Sequence, residues 1–525
     1  QIKSNNAHIM RTIEKNSLFK EDKEEKNKIA KEKLIEKFKD IDIATKRIKK
    51  AILEKETITI VGDYDVDGVI STTIMLDFFN TMGVKVNHII PNRFEHGYGL
   101  STKIVDLINE GLVITVDNGI SAYEASIKLK EKNIDLIITD HHTVGDKIPL
   151  ALAIINPKQA DCNFEFKEIC GAQVAWYLCA AIKKEMNLDV NMSNFLDLLC
   201  VAIIADIMPM TALNYTIVKQ GLKKIKTSSR EAFKKLNEIM PKEIFVSDDI
   251  GFFIAPKLNS AGRMDDASIA LSFLLSKNSN AANESLLLLE ELNNYRKTLQ
   301  EEISKKAEAK TDKDYNAVVV WGENWHEGVI GIVASKLSNS HKKPAFIFSI
   351  HNGIAKGSAR ANANINLYDI ITKASHLLLG FGGHKNAAGL SLKAENLEEF
   401  KEIINKELEN SKEDLHIEPT TLGELDVSSV DLEFLSIIEQ FEPYGLENHR
   451  PIFKISNTSL VKYDLIGRDK NHLKLTLNSD GVIFEALKFN DSNINISTNL
   501  NLIVSIAKNE FRGEITPQFL IQDIL

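Results

Sequence analysis

Three aspartates stand at alternate positions where an apolar run ends. The stretch ITIVGDYDVDG, residues 58–68, places Asp63, Asp65 and Asp67 directly after β-branched residues typical of a buried strand. Side chains two residues apart in an extended chain point to the same face, so these carboxylates would crowd together and repel one another. A bound cation would offset that repulsion, and the spacing therefore indicates a metal site at the end of a strand.

A calcium loop of the EF-hand type is the main competing explanation for the D-x-D-x-D-G pattern. Such a loop needs a bidentate Glu at its twelfth position. Counted from Asp63, the twelfth residue is Ile74, whose apolar side chain offers no oxygen. This explanation is therefore excluded.

Further acids and histidines follow other apolar runs. Asp117 ends LVITVD, Asp140, His141 and His142 end IDLIITDHH, and Asp206 follows LLCVAIIA. In a doubly wound sheet the carboxyl ends of the parallel strands share one edge, where ligands bind, so this fold would gather all these clusters. Taken singly, Asp117 before Asn-Gly is more typical of a turn, and a histidine pair can be structural.

The combined residue types indicate which metal such a site would hold. Sites rich in oxygen with one or two imidazoles suit Mn²⁺ or Mg²⁺ better than structural zinc. The set is large enough for two ions, the arrangement that activates water for phosphodiester cleavage.

A second group of residues is basic and lies in glycine-rich stretches. Arg93 occurs in PNRFEHGYGL, Arg263 in APKLNSAGRM, Ser358 and Arg360 in GSARAN, and His384 in GFGGHKNAAG. Guanidinium groups and loop N–H groups bind phosphate oxygens. One glycine-rich stretch alone more often marks a turn than a ligand loop, but together they indicate a phosphate-bearing substrate.

The elements that must position these residues alternate in type. Over residues 57–156, five apolar runs predict short buried strands, and amphipathic segments such as 68–81 and 120–132 predict helices between them. This alternation predicts a parallel sheet with helices on both faces. Residues 169–300 read as mainly helical, a second alternating unit begins near YNAVVVWG, and the chain after LGELD reads as antiparallel strands of a small closed barrel. The expected parts are a charged helical segment (1–50), an α/β domain (51–282), a connecting helix (283–311), a smaller α/β domain (312–412) and a barrel domain (413–525).

The amino-acid composition limits the classes of protein to which the chain can belong. The 525 residues are 44% hydrophobic and 26% charged, as in soluble globular proteins, and no apolar run approaches the ~20 residues of a membrane span. The net charge of −9 neither supports nor excludes nucleic-acid binding, which depends on where cations cluster. Four cysteines without C-x-x-C spacing argue against disulfides or a zinc site and favour a reducing cytoplasm.

Several motifs together resemble a known group of enzymes. GDYDVDG, VDNG, TDHH and Asp206 resemble the successive motifs of the DHH phosphoesterase superfamily, and GFGGHKNAAG resembles the glycine-rich motif of its associated DHHA1 domain. NSAGRM, WHEGVIGIVASKL and FEPYGLENHRPIF are similar to the RecJ family of single-strand-specific 5′→3′ exonucleases. The similarity runs in motif order from about residue 50 to the end, and it implies that the C-terminal barrel is of the oligonucleotide-binding (OB) type.

The resemblance implies roles for single residues. Asp117 would bridge two Mn²⁺ or Mg²⁺ ions, Asp140 would orient a histidine, and His142 would face the scissile phosphate. The implied metal ligands are Asp63, Asp65, Asp67, Asp117, His141 and Asp206. The residues implied near the nucleotide and its 5′ phosphate are Arg93, Arg263, Ser358, Arg360 and His384. Barrel aromatics that could stack on bases, although most are expected in the core, are Tyr463, Phe484, Phe489, Phe511 and Phe519.

The function implied is hydrolysis of single-stranded DNA from the 5′ end to mononucleotides, by water activated by two metals, in DNA repair and recombination. The resemblance also implies a cytoplasmic monomer, with single-strand-binding protein and a RecQ-type helicase as partners. Oligoribonucleases, cyclic-dinucleotide phosphodiesterases and family II pyrophosphatases share the core but commonly lack the barrel, so residues 415–525 argue against them. A non-catalytic DNA-binding scaffold would show eroded metal ligands, whereas this set is complete.

Overall fold

The computed structural model describes most of the chain. The described residues are 32–361, 365–383, 385–409, 420–467, 470–489, 497–511 and 513–525. Most of the charged segment over residues 1–50 therefore lies outside the description. Among the helices of the described ranges, none combines the length and the apolar character that a membrane crossing requires.

The first domain is built on a parallel sheet whose strands come from the apolar runs. The strands are β1 (Ile58–Val61), β2 (Asn87–Ile89), β3 (Leu112–Val116), β4 (Asp135–Thr139) and β5 (Ala153–Ile155). Their order is β2-β1-β3-β4-β5, and every neighbouring pair is parallel. All residues of β1, β3 and β5 are buried, because helices cover both faces of the sheet.

This strand order creates a crevice at one edge of the sheet. The chain moves outward from β1 to β2 and then returns to β3 on the other side of β1. At such a switch point the loops after the two central strands diverge, and ligands bind outside the carboxyl ends of the strands. Asp63 follows β1 and Asp117 follows β3, so both acids lie at this crevice.

Helices surround the sheet and form most of the largest core. They are α1 (Glu32–Ile35), α2 (Ile41–Leu53), α3 (Val66–Thr81), α4 (Thr102–Asp106), α5 (Tyr123–Glu131), α6 (Gly171–Met186), α7 (Leu196–Ala205), α8 (Ala212–Lys226), α9 (Glu231–Ile239), α10 (Ser247–Asp249), α11 (Ala255–Met264) and α12 (Ser268–Leu274). A single π-helical turn, Ile250–Ile254, precedes α11. The apolar faces of α3, α6 and α7 pack together in this core.

One long helix joins the two α/β domains. α13 (Ser279–Ala309) has 31 residues and is therefore about 46 Å long at ~1.5 Å per residue. Leu286 and Leu289 in its first half belong to the core of the first domain, whereas Ile303 and Ala307 belong to a core of the second. Because each end is buried in a different domain, the helix fixes the spacing between them.

The second domain is a smaller α/β unit with a mixed sheet. Its strands are β6 (Val318–Glu323), β7 (Ala345–His351), β8 (Ile354–Arg360), β9 (Leu378–Gly383) and β10 (Ala387–Lys393), and its helices are α14 (Glu327–His341), α15 (Leu367–Lys373) and α16 (Leu397–Glu409). The order is β6-β7-β8-β10-β9, in which only β6 and β7 are parallel.

The C-terminal domain is a closed five-stranded barrel preceded by α17 (Leu432–Glu439). Its strands are β11 (Ile452–Ile466), β12 (His472–Ser479), β13 (Val482–Lys488), β14 (Asn499–Phe511) and β15 (Glu514–Ile524). Phe484 and Phe519 belong to the barrel core, and Tyr463 and Phe489 are exposed. The side chain of Phe511 lies outside the description. The predicted fold class, with two α/β domains, a long connecting helix and a barrel, is confirmed.

Candidate metal centre and phosphate cleft

Asp63 and Asp65 form a first acidic group, together with Asp117. After β1 the chain turns, and Asp65 becomes the N-cap of α3, where its Oδ1 accepts a hydrogen bond from the N–H of Gly68 at 3.0 Å. A carboxylate oxygen of each of the three acids lies within 4.8 Å of the others. The switch point between β1 and β3 is what brings Asp117 to this turn.

His141 is the centre of the second group. Its Nε2 lies 3.2 Å from Oδ1 of Asp117, 3.6 Å from Oδ2 of Asp206 and 3.7 Å from Oδ2 of Asp67. Ligand atoms placed ~2.1 Å from one Mg²⁺-sized ion in octahedral geometry are about 3 Å apart, so this spacing approximates one coordination sphere. Asp117 links the two groups, because it belongs to the first, lies beside His141 of the second, and forms a third set of possible ligands with His141 and His142.

The extended-chain argument predicted that the three alternate aspartates share one face. They do not, and that prediction was wrong. The chain enters α3 at Val66, and Asp67 consequently projects from the first helical turn. There its Oδ2 accepts a hydrogen bond from the N–H of Gly171 at 2.6 Å, and its Oδ1 accepts one from Ala172 at 2.9 Å. The start of a helix thus divides the acids between the two groups.

The donor set fits a divalent cation. Asp63, Asp117 and Asp206 each have a buried carboxylate oxygen without a hydrogen-bond partner. Burial, followed by repulsion from neighbouring acids, raises the pKa of each of these carboxyls well above its ordinary value. The same causes raise the pKa of Asp67 to about 6, and burial lowers the pKa of His141 to about 3. Buried unpaired carboxylates beside a neutral imidazole are costly unless a cation neutralises them.

Asp140 organises the histidine pair. Its Oδ1 accepts hydrogen bonds from the backbone N–H of His141 at 2.7 Å and of His142 at 3.1 Å, and lies 2.7 Å from Nδ1 of His142. Its Oδ2 accepts a hydrogen bond from the N–H of Ile120 at 2.9 Å. Burial alone would lower the pKa of His142, but the hydrogen bond and charge of Asp140 outweigh it and raise that pKa to about 9.

Two residues that shape this edge were missed from the sequence. The amide of Asn118, completely buried, donates to the carbonyl oxygens of Val61 at 3.1 Å and Val116 at 2.9 Å and accepts from the N–H of Leu100, which ties the ends of β1 and β3 to a loop. At Gly171 a Cβ would lie 2.3 Å from Oδ1 of Asp117. Asn118 stood in the quoted VDNG motif, where it reads as a turn residue, and Gly171 carried no sequence signal.

The basic residues gather in the cleft between the two α/β domains. Arg263, at the end of α11, is partly buried and donates to the carbonyl oxygen of Gly328 in α14 at 3.2 Å. Burial, followed by the charges of Arg93, Arg296 and Arg360, lowers its pKa to about 10. Arg263 thus lies close enough to three other guanidinium groups to be repelled by them, and one of these, Arg296 on α13, was not expected from the sequence.

Neighbouring side chains contact the arginines on both sides of the cleft. The guanidinium of Arg93 lies 4.2 Å from the ring centre of Tyr64, and its buried Nε has no hydrogen-bond partner. Across the cleft, Arg360 donates to Oγ of Ser358 at 3.0 Å. His384 lies outside the described residues.

Comparisons with known proteins agree with this architecture. Three family models match the chain: the DHH family N-terminal domain over residues 57–203, the DHHA1 domain over 314–410 and the RecJ OB domain over 423–523. The fold and the acidic edge thus define a protein of the DHH class.

Curated relatives narrow this class. The single-stranded-DNA-specific exonuclease RecJ of Haemophilus influenzae is 33% identical over 526 residues, which is 92% of this chain and 90% of that protein. RecJ of Bacillus subtilis is 33% identical over 496 residues, and the chain spans only 62% of its length. The crystal structure of RecJ in complex with Mn²⁺ from Thermus thermophilus is 27% identical, with a TM-score of 0.77 over 93% of this chain and 72% of that one. The chain belongs to the RecJ family.

Proposed function

We propose that the protein is a metal-dependent exonuclease that hydrolyses single-stranded DNA 5′→3′ to mononucleotides in DNA repair and recombination. The observation that carries this proposal is the contact between the acidic loop and the arginine cleft. At Gly262, next to Arg263, a Cβ would lie 2.1 Å from the backbone oxygen of Tyr64, between Asp63 and Asp65. A phosphate held by the arginines therefore lies beside the acids.

Each acidic residue takes a role that its surroundings support. The proposed metal ligands are Asp63, Asp65, Asp67, Asp117, His141 and Asp206, and the proposed catalytic residues are Asp117, Asp140, His141 and His142. Two Mn²⁺ or Mg²⁺ ions, when bound, would activate water and neutralise charge on the phosphate. Asp117, which lies in the first group and 3.2 Å from His141 of the second, is the proposed bridging ligand.

His142 is suited to bind the scissile phosphate. Burial lowers its pKa, but the hydrogen bond and charge of Asp140 raise it to about 9, which favours a protonated ring that donates a hydrogen bond. Asp140 fixes the ring orientation through Nδ1, and Nε2, which lies 3.4 Å from the hydroxyl of Tyr98, would donate to a phosphate oxygen.

The cleft supplies strand selection and polarity. Arg93 and Arg263 on one wall and Ser358 and Arg360 on the other, together with His384 from the glycine-rich motif, would bind the 5′ phosphate and so set the end from which degradation starts. α13 fixes the spacing of the walls, and a channel too narrow for a duplex would admit only single strands. The functional units we propose are the N-terminal segment 1–50, the DHH domain 51–282, the connecting helix 283–311, the DHHA1-like domain 312–412 and the OB-like domain 413–525.

The test uses single-stranded DNA labelled at one end or the other, incubated with purified protein and Mn²⁺. We expect mononucleotides to appear first from the 5′ label and chelation to stop the reaction. Matched reactions on duplex DNA, dinucleotides and pyrophosphate measure selectivity against related phosphoesterases. Degradation from the 3′ end, activity in excess chelator, or faster turnover of pyrophosphate would refute the proposal.

The proposal also covers the location, the oligomeric state and the protein partners of the enzyme. We expect a cytoplasmic monomer that acts with single-strand-binding protein and a RecQ-type helicase. Analytical ultracentrifugation of the full chain, alone and with each purified partner, tests the oligomeric state and the two interactions.

A further inference from the structure

Two buried polar side chains, Gln173 and Asn214, connect the helix terminus that binds Asp67 with the loop that follows Asp206. Both are fully buried, and neither has a ligand atom in an acidic group. Nε2 of Gln173 donates a hydrogen bond to Oδ1 of Asn214 at 2.9 Å. A buried amide pair of this kind is stable only when its other donors and acceptors are also satisfied, and here those bonds lead to the metal centre from two sides.

Gln173 fixes the helix terminus that binds Asp67. It lies in the first turn of α6, where its Oε1 accepts a hydrogen bond from the N–H of Cys170 at 2.9 Å. The next two N–H groups of that turn, from Gly171 and Ala172, donate to the two oxygens of Asp67. Gln173 therefore holds in place the backbone donors that aim Asp67.

Asn214 fixes the loop that carries Asp206. From α8, its Nδ2 donates to the carbonyl oxygens of Pro209 and Glu168, each at 2.8 Å. Pro209 is three residues after Asp206, which ends α7. The residue after Pro209 is held as well, because the N–H of Met210 donates to Leu446 of the C-terminal domain at 2.7 Å.

The loop between these anchors is strained next to the acid. Ile207 has a φ of 54°, a left-handed conformation that a β-branched residue rarely adopts, and its side chain is 69% exposed. Burial of the Ile207 side chain therefore does not offset the cost of this backbone conformation. The hydrogen bonds to Pro209 and Met210 must maintain the conformation instead. Immediately before it, Asp206 has a buried oxygen without a hydrogen-bond partner, which faces Nε2 of His141 at 3.6 Å.

We propose that Gln173 and Asn214 are positioning residues that set the separation of Asp67 from Asp206 across the His141 group. Their bonds hold the α6 terminus and the strained loop in one relative arrangement, and this preorganises two ligands for one metal ion. The inference rests on the metal site of the proposed function. It concerns binding of the ion and not the DNA reaction.

The test measures Mn²⁺ binding alone, by calorimetry and electron paramagnetic resonance, on the full chain. Asn214→Ala removes both donated bonds, whereas the milder Asn214→Ser keeps a hydroxyl that can donate one. Asn405 provides a matched control: it is a buried helical asparagine whose Nδ2 donates to Lys401 and whose Oδ1 accepts from Ala317, in the second domain. Asn405→Ala and Asn405→Ser therefore remove similar bonds away from the acids.

We expect both Asn214 variants to bind one of two Mn²⁺ ions about tenfold or more weakly, as for other residues that orient metal ligands. The other ion, near Asp63, Asp65 and Asp117, should bind as in the wild type. The Asn405 variants should keep both affinities even if their melting temperature falls equally. If Asn214→Ala does not fold, Asn214→Ser decides.

Unchanged Mn²⁺ affinity in a folded Asn214 variant would overturn the inference, as would an equal loss in the Asn405 variants. The proposed function fails in a different way. A wild-type protein that binds two Mn²⁺ ions but degrades no DNA would refute that function and leave the positioning roles intact.

Discussion

Asp117 is the residue on which the two acidic groups depend. It has a φ of 62°, in the left-handed region, and directly precedes the buried Asn118, which ties the ends of β1 and β3 together. Gly171 approaches it so closely that no Cβ would fit there. Its backbone is therefore fixed and its carboxylate is confined by Gly171, as a ligand shared by two ions would need to be.

Replacing this carboxylate should remove hydrolysis. Asp117→Asn keeps the side-chain volume but removes the charge of the proposed bridging ligand. We expect the rate on single-stranded DNA to fall more than about 100-fold, beyond the usual effect of residues that only orient ligands. The measurement is single-turnover cleavage with saturating Mn²⁺. DNA binding should persist, because the arginines are untouched, and near wild-type cleavage would show that Asp117 is not a metal ligand.

Two helices bring the domains together by direct backbone contact. α11, in the first domain, meets the acidic loop at Gly262, and α14, in the second, meets the end of α11 at Gly328. A Cβ at Gly328 would lie 2.1 Å from the carbonyl oxygen of Arg263. The width of the cleft thus depends on a position without a side chain, at the arginine proposed to bind phosphate.

A methyl group at this contact should widen the cleft. Gly328→Ala cannot be accommodated unless α14 moves away from α11, and a displacement of ~1 Å at a reacting centre can cost about 100-fold in rate. We expect kcat/KM on single-stranded DNA to fall by that order, with the melting temperature of the second domain little changed. Gly145→Ala is the control, because that glycine is exposed in a loop and a Cβ there meets nothing within 4 Å. Equal activity of the two variants would contradict this account of the cleft.

Across the molecule as a whole, the metal centre lies against the largest hydrophobic core. α3, α6 and α7, which carry or hold Asp67 and Asp206, contribute to the same core. Without a cation, the buried acids oppose the packing of these helices. Metal binding should therefore stabilise the first domain, whereas the barrel, with a separate core, should not respond.

Differential scanning calorimetry can separate these contributions, because the domains need not unfold together. Free Mn²⁺ at 100 times its Kd adds about 2.7 kcal/mol to a domain that binds one ion only when folded. We therefore expect one transition to move to higher temperature with Mn²⁺ and to return on chelation. Asp117→Asn should show a smaller shift. An equal shift of every transition, or none, would argue against a specific centre in the first domain.

The architecture and the membership of the acidic edge follow from the amino-acid sequence alone. Continuous β-branched runs predict buried strands, and strands alternating with helices make a parallel sheet, so Asp63, Asp117 and His141 were expected to meet at one edge, as they do. The closed barrel followed equally from its alternating strands and turns. These features depend on the hydrophobic pattern along each strand or helix, which can be read from neighbouring residues in the sequence.

The division of the acids, and the contacts that hold them, depend on the tertiary structure. Asp67 joins His141 and not Asp63, because α3 begins between the alternate aspartates. Gln173, Asn214 and Arg296 act through partners on other elements of the fold. The physical reason is that a hydrogen bond or a charge contact depends on distance in space, which a local sequence pattern does not encode.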